Sequence, residues 1–237
     1  MRSRKEIKTI AKEQFRLNYW NCVLAALLVS AVIAAVNWLS SGQEIKEIIS
    51  SDGIRSVTLN TRGGAGGLLS MLITGPLTIG LNYFFIKNVT GLRDGLTVTT
   101  PFSEAFKNYP RKLGGSLWMG LFTFLWGLLF IIPGIIKYFS YSMTQFILAD
   151  CPDVKAKDAL RLSMRMMKGH KGEYFVLCLS FIGWGIITAA TLGILGVFYT
   201  VPYCHSTVSE YYLEVRDEAI RTGAVTVDQL QGLVSAY

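Results

Sequence analysis

Charge is scarce in this sequence. Asp, Glu, Lys and Arg make up 16% of the 237 residues, hydrophobic types reach 51%, and mean hydropathy is +0.39. An ordinary soluble domain spreads more charge over its surface, so the composition excludes a typical water-soluble globule and points to lipid as the solvent. Histidine is scarcer still: only His170 and His205 occur, and neither has a second histidine or a cysteine at i+3 or i+4. The four cysteines, Cys22, Cys151, Cys178 and Cys204, have no paired spacing. That excludes a disulfide framework and a cysteine-built metal site. No Gly-x-Ser-x-Gly elbow is present. The glycine run from Gly63 to Gly67 lacks the Lys-Ser/Thr that completes a nucleotide phosphate cradle. The chain is therefore expected to carry no catalytic residue, no metal and no cofactor.

What the chain does have is six apolar stretches, at Cys22 to Leu39, Gly67 to Ile86, Leu113 to Ile132, Ile135 to Ala149, Tyr174 to Leu192 and Val197 to Leu213. Three run to roughly 20 residues, the length a helix needs to cross about 30 Å of hydrocarbon. The fourth and sixth are shorter and more polar. Of the 23 basic residues, 19 lie before the first stretch, in the Lys87 to Lys112 and Lys155 to Lys171 segments, or after the sixth; Lys46, Arg55 and Arg62 lie opposite, and Lys137 sits just inside the fourth stretch. By the positive-inside rule both termini face the cytoplasm. The net charge of +7 reads as a topology and lipid-headgroup signal, so membrane lipids are expected partners and nucleic acid is not. The apolar run after Arg16 is long for a signal h-region and is expected to stay as a span rather than be cleaved.

A threefold organisation lies beneath this pattern. Ser3 and Glu6 stand in capping-box spacing ahead of a basic amphipathic helix with Ile7, Ile10 and Ala11 on one face. Pro101 to Tyr109 sets Phe102, Ala105, Phe106 and Tyr109 at helical spacing. Asp153 can cap a third helix running to Lys168, with Gly169 as its stop. Each helix precedes a pair of spans, and each returning span carries an early proline: Pro76, Pro133 and Pro202. The fold class expected is all-α, a polytopic membrane helix bundle of about six transmembrane helices in three hairpins, with amphipathic helices at the interface. One domain covers 1–237, made of units 1–87, 101–149 and 153–213 and a cytoplasmic tail, 214–237. Three equivalent hairpins would enclose a centre lined by the prolines, the place to look for a ligand.

Individual residues follow from this frame. Lys137 is an ionisable group inside a span, and such groups are functional hypotheses by default. It lies four residues past Pro133, only about 6 Å from the outer boundary at 1.5 Å per residue, so snorkelling is the competing reading. His205 and Thr207 belong to the polar run Tyr203 to Thr207, where side chains either glue helices together or line a path with Pro133 and Pro202. Asp150 is read as a local ion pair or helix cap rather than a general base. The Lys168-Gly169-His170-Lys171 turn, with Arg161 and Arg165, sits at headgroup depth and suits an anionic lipid phosphate, or is simply solvated.

The runs Ile131-Ile132-Pro133-Gly134-Ile135, Tyr141-Ser142-Met143, Ala149-Asp150-Cys151-Pro152-Asp153, Ala159-Leu160-Arg161-Leu162-Ser163, Met167-Lys168-Gly169-His170-Lys171, Leu179-Ser180-Phe181-Ile182-Gly183-Trp184 and Thr200-Val201-Pro202-Tyr203 carry a family resemblance. In them the chain resembles the bacterial integral-membrane family DUF975, a domain of unknown function, most strongly from about Leu125 to Tyr212. It is similar, more loosely, to the membrane domains attached to some glycerophosphodiester phosphodiesterases. The resemblance implies a multi-pass bacterial plasma-membrane protein and supplies no chemistry. Three classes of function remain: a non-enzymatic accessory, binding or envelope-organising protein, whose partners would be lipids, other membrane proteins or a small ligand; a small-molecule or peptide transporter with a polar path through the bundle; and an intramembrane enzyme.

Overall fold

A computed structural model describes residues 2–40, 43–49, 55–61, 65–129, 131–230 and 232–233. It is helical apart from one two-stranded ribbon. Helices α1 (Arg4–Leu17) and α2 (Tyr19–Ser40) lead to antiparallel strands β1 (Gln43–Ile49) and β2 (Arg55–Thr61), paired from Gln43 opposite Thr61 to Ile49 opposite Arg55. The ribbon falls between the first and second apolar stretches. Then come α3 (Ala65–Val89), α4 (Thr100–Phe106), α5 (Tyr109–Leu129), α6 (Ile131–Tyr141), α7 (Thr144–Asp150), α8 (Ala156–Met166), α9 (Lys171–Leu179), α10 (Ile182–Ala190), a π-helical turn (Gly196–Thr200) and α11 (Val201–Arg221).

Two helical stretches among the described residues, Tyr19–Leu39 and Lys171–Ala190, are long and apolar enough to cross a membrane. Six uninterrupted spans are not seen. The expected fourth span is divided between α6 and α7, and the fifth between α9 and α10. At each break a serine hydroxyl turns back on the helix: Ser142 donates to the Phe139 carbonyl and Ser180 to that of Leu177. Such bonds compete with the backbone ladder and bend it. The sixth begins as a π-turn ahead of Pro202, which has no N–H to give the ladder.

The amphipathic faces of α1 and α8 are covered by protein rather than left for lipid, while on α4 Ala105 is buried and Phe106 stays 63% exposed. α1 has the expected capping box, the Ser3 hydroxyl accepting from the Glu6 N–H while the Glu6 carboxylate accepts from the Ser3 N–H. Its face of Ile7, Ala11 and Phe15 is fully buried. The helix runs antiparallel along α11: Arg2 pairs with Glu210 at 3.0 Å, while at the other end Phe15 meets Tyr199 at 5.9 Å between ring centres. α4 packs on α3 where Gly80 leaves room, since a Cβ there would stand 2.0 Å from the Pro101 carbonyl oxygen. α8 starts after Lys155 without a side-chain cap, so Asp153 does not play the expected role. Its end is as expected, with Gly169 at φ +94°, open to glycine at low cost.

Buried residues form two clusters. One joins α3, α7, α8 and α11 around Ile79, Met143, Ile147, Met167, Tyr211 and Tyr212; the other joins α1, α2, α3 and α4 around Phe15, Val29, Phe84, Phe85 and Ala105. The segment after Leu213 is not a free tail: α11 continues to Arg221, and Val225 and Leu230 return to the first cluster.

Candidate functional site

Among the described residues, a cleft in two lobes lies between the helices. One lobe, about 550 Å³, lies between α3 and α5 and is lined by Ser70, Thr74 and Thr78 of α3, Ser116, Met119 and Thr123 of α5, Tyr138, and Gln145 of α7, with Asn37 at its rim. The other, about 330 Å³, shares Thr78, Met119, Tyr138 and Gln145 and continues past Asn82, Ser142 and Tyr174 to Cys204, His205 and Val208 of α11. The four shared residues place the two lobes side by side. Small residues create it: Gly75 faces Ser116 and Gly120 faces Met71, and a Cβ at either glycine would come within 2.6 Å of its neighbour. Close helix approach through glycine and serine is how membrane bundles pack, because lipid gives no hydrophobic drive between helices.

The lining is mostly apolar, with hydroxyls and amides set into it, and it is nearly uncharged. Thr78 donates to the Thr74 carbonyl at 2.8 Å. The Thr74, Ser116 and Thr123 hydroxyls are buried with no hydrogen-bond partner among the described residues. His205 stacks nearly parallel on Phe85, 5.2 Å between ring centres. The only titratable nitrogen base in the cleft is that imidazole, and no carboxylate lines either lobe.

The remaining sequence-expected residues fall elsewhere. Lys137 places its ammonium 4.8 Å above the Trp126 ring, a cation–π contact on the neighbouring helix, and lines neither lobe. Thr207 is fully buried and returns its hydroxyl to the Tyr203 carbonyl at 2.8 Å. Pro133 is half-buried in α6 and Pro202 is buried at the start of α11. Neither they nor Pro76 line the cleft, so it is not the proline-lined centre expected from the repeat. Its polar lining comes from threonines, serines and amides that the periodicity of apolar residues treats as neutral filler.

The basic candidates separate into two places. Arg161 and Arg165 line a cavity of about 430 Å³ on the outer face of α8, together with Lys155, Asp153, Asp158 and Asp228, and Arg161 lies 3.6 Å from Asp158. That site is mixed in charge. Lys168, Gly169, His170 and Lys171 form the turn into α9, where the His170 ring stands 3.3 Å from Glu173 and its carbonyl accepts from the Tyr211 hydroxyl at 3.0 Å.

Asp150 has a partner that the sequence reading missed. It is fully buried, accepting from the Tyr212 hydroxyl at 2.9 Å and pairing with Arg216 at 3.0 Å, rather than with the neighbouring Lys155 or Lys157. Arg111, at the start of α5, donates to the carbonyls of Leu148, Cys151 and Val154. These two arginines tie α5, α7 and α11 together. Burial pushes the Cys151 thiol up to about 12 and leaves it a poor nucleophile at neutral pH. The signal for Arg216 was its position two turns beyond the polar run of the last span, on a helix expected to have ended.

The family described as Protein of unknown function (DUF975) matches the chain over residues 1–140 and 128–219. No curated protein and no solved structure matches it.

Proposed function

The chain belongs to the DUF975 family of proteins of unknown function, and from that premise we propose that it is a non-enzymatic, multi-pass protein of the bacterial plasma membrane that acts by binding. In this reading it crosses the bilayer as three hairpins, with both termini in the cytoplasm. One observation carries the reading. Along α2 the exposed apolar side chains Trp20, Leu24, Leu28, Val32 and Leu39 form a stripe at close to four-residue spacing, and Trp20 and Trp38, 65% and 77% exposed, stand at its two ends. The 18 residue steps from one to the other span about 27 Å of helix, close to the hydrocarbon thickness, and tryptophan favours the two interfaces. Leu121, Leu125 and Leu128 on α5 and Ile182 and Ile186 on α10 add further bare apolar surface. In water such a surface would drive aggregation; against lipid it is a match.

Accessible-cysteine labelling tests this reading. In a variant with the four native cysteines replaced, Arg161→Cys is expected to react with an impermeant maleimide only from the cytoplasmic side and Arg55→Cys only from outside. Labelling of both from one side would overturn the topology, as would a purified chain that stays monomeric and folded in buffer without amphiphile.

A second reading, transport, is supported by the length of the cleft, which runs from Asn37 near the end of α2 to Val208 of α11. Reconstituted vesicles in which His205→Ala abolishes flux of a small solute would favour it over binding alone.

A further inference from the structure

The start of α1 gathers positive charge that its neighbours leave partly unanswered. A cavity of about 630 Å³ opens between α1 and the break from α9 to α10, lined by Arg2, Arg4, Lys5 and Lys8 from one side and by Glu173 and Ser180 from the other. Four cations there face one carboxylate. Arg2 is engaged, with Glu210 at 3.0 Å and Glu214 at 3.7 Å, and so fastens the beginning of the chain to α11. Glu173 stands 3.3 Å from the His170 ring. That leaves Arg4, Lys5 and Lys8 with no ionic partner among the described residues, the first two exposed and the third half-buried.

Lys8 shows what the cavity faces. Its ammonium donates to the Ser180 hydroxyl at 2.6 Å and lies 4.7 Å above the Phe181 ring, so it reaches the point where α9 ends and α10 begins. An ammonium has three donors, and Ser180 takes one. Burial, and after it repulsion from Arg4, lowers the Lys8 pKa, as expected for an ammonium packed beside another cation. Just past Phe181 the bare apolar surface of α10 starts, with Ile182 55% and Ile186 66% exposed. Cationic surface thus meets the surface that the proposed function assigns to lipid. Such a boundary suits a molecule with an anionic head and a hydrocarbon body. The cavity beside Arg161 and Arg165 lacks this balance, because three acidic side chains there answer three basic ones and Arg161 lies 3.6 Å from Asp158. A phosphate there competes with carboxylates; beside α1 it meets guanidinium and ammonium groups with donors to spare.

We infer that the cavity between α1 and the α9–α10 break binds the head of an anionic glycerophospholipid, its phosphate received by Arg4, Lys5 and Lys8 and its acyl chains lying along α10. This rests on the reading of the chain as a membrane binding protein and names the ligand class and the place for it. The cavity falls in the volume range of small-ligand sites. Arginine and lysine also carry long apolar stems, so the same wall accepts the glycerol esters next to the phosphate.

Lipid retained by the full chain through gel filtration in a polyoxyethylene detergent, counted by mass spectrometry of the extract, tests this. The chain is offered equimolar phosphatidylglycerol, phosphatidylethanolamine and diacylglycerol. Retention of phosphatidylglycerol about tenfold over diacylglycerol, and above the zwitterionic phosphatidylethanolamine, is expected. The double variant Arg4→Gln with Lys5→Gln, at two exposed positions, is expected to lose about tenfold of that retention. Lys12→Gln with Lys157→Gln removes the same charge from exposed positions outside the cavity and should leave it unchanged. Equal losses in the two double variants, or equal retention of phosphatidylglycerol and diacylglycerol, overturn the inference. Excess inorganic phosphate, set against chloride of equal ionic strength, separates the two sources of a phosphate group: undiminished lipid supports the site, and displacement of the lipid assigns the cavity to free phosphate and overturns it. Should the Arg4 and Lys5 variant fail to fold, a phosphatidylglycerol with a diazirine near its head decides: crosslinks on α1 support the site, and crosslinks confined to other helices overturn it. A chain that inserts and labels with the expected topology yet holds no anionic lipid sinks this inference alone and leaves the proposed function standing.

Discussion

Ile147 and Ile186 are the same residue type on helices of one chain, yet the first is fully buried and the second is 66% exposed. Their surroundings differ just as sharply. Around Ile147 the apolar side chains of α3, α7, α8 and α11 face one another, and the charged groups nearby are paired: Asp150 with Arg216, Arg111 with three carbonyls. Around Ile186 the large apolar groups point outward, while the polar groups of the neighbouring helices gather in an interior cleft. The first arrangement suits water outside and a hydrophobic core within. The second suits hydrocarbon outside, where close packing and internal hydrogen bonds replace the hydrophobic drive. One chain therefore holds both solutions, joined along α2, α3, α5 and α11.

The largest way to break that comparison is at the buried ion pair. Removing the guanidinium, as in Arg216→Ala, takes an ionic partner from the fully buried Asp150 and is expected to cost roughly 3–5 kcal/mol, while Asp150→Ala should cost less because Arg216 keeps Asp217 at 2.8 Å. A thermal melt in detergent reads this as a large fall in Tm. The double variant should recover much of the loss, because no lone charge remains; a double loss equal to the sum of the singles would mean that the two residues act independently. Next in size comes the isoleucine pair itself. Ile147→Ala is expected to cost roughly 2–5 kcal/mol through lost burial and the cavity left behind. Ile186→Ala should stay within about 0.5 kcal/mol in the same detergent, as for a residue with no protein neighbours to lose. Comparable losses at both sites would show that α10 is covered by something other than lipid or detergent.

The smallest effect is one of pH, and it sharpens the boundary between the two regions. Lys112 sits at the start of α5, 5% exposed, its ammonium donating to the Glu104 carbonyl. Burial lowers its pKa from 10.5 to about 8. The unfolded chain then holds a proton that the folded chain releases between those two values, so stability should rise as pH climbs from about 8 towards 10.5. Below about pH 8 both states are charged at this residue and the slope from it vanishes. Melts across this range should show the rise in the native chain and a flatter response in Lys112→Met; identical slopes would place Lys112 in water.

Much of the helical layout was legible because local chemistry writes it. The Ser3-Glu6 capping box, the stop at Gly169 and the apolar run of α2 need only neighbours in sequence, and each takes the expected form. The breaks at Ser142 and Ser180 were not legible. A serine inside an apolar run interrupts a helix only when its hydroxyl turns back on the backbone, and hydropathy does not register that choice. The ribbon of Gln43–Ile49 and Arg55–Thr61 was missed for a related reason, since its alternation is weak and it lies between two long apolar stretches. The destination of the amphipathic faces was missed too, because a stripe such as Ile7, Ala11 and Phe15 is apolar whether it meets lipid or another helix.

By itself the sequence determined the helical class, the apolar runs and the distribution of basic residues along the chain, since these depend on composition and on periodicity over a few turns. Only the tertiary structure decided that Asp150 answers Arg216, 66 positions away. It also decided that Thr74 and Ser116, from different helices, open onto one space. Pairings of that kind depend on how helices cross, and a crossing is set by the fit of whole surfaces, which no local window of residues contains.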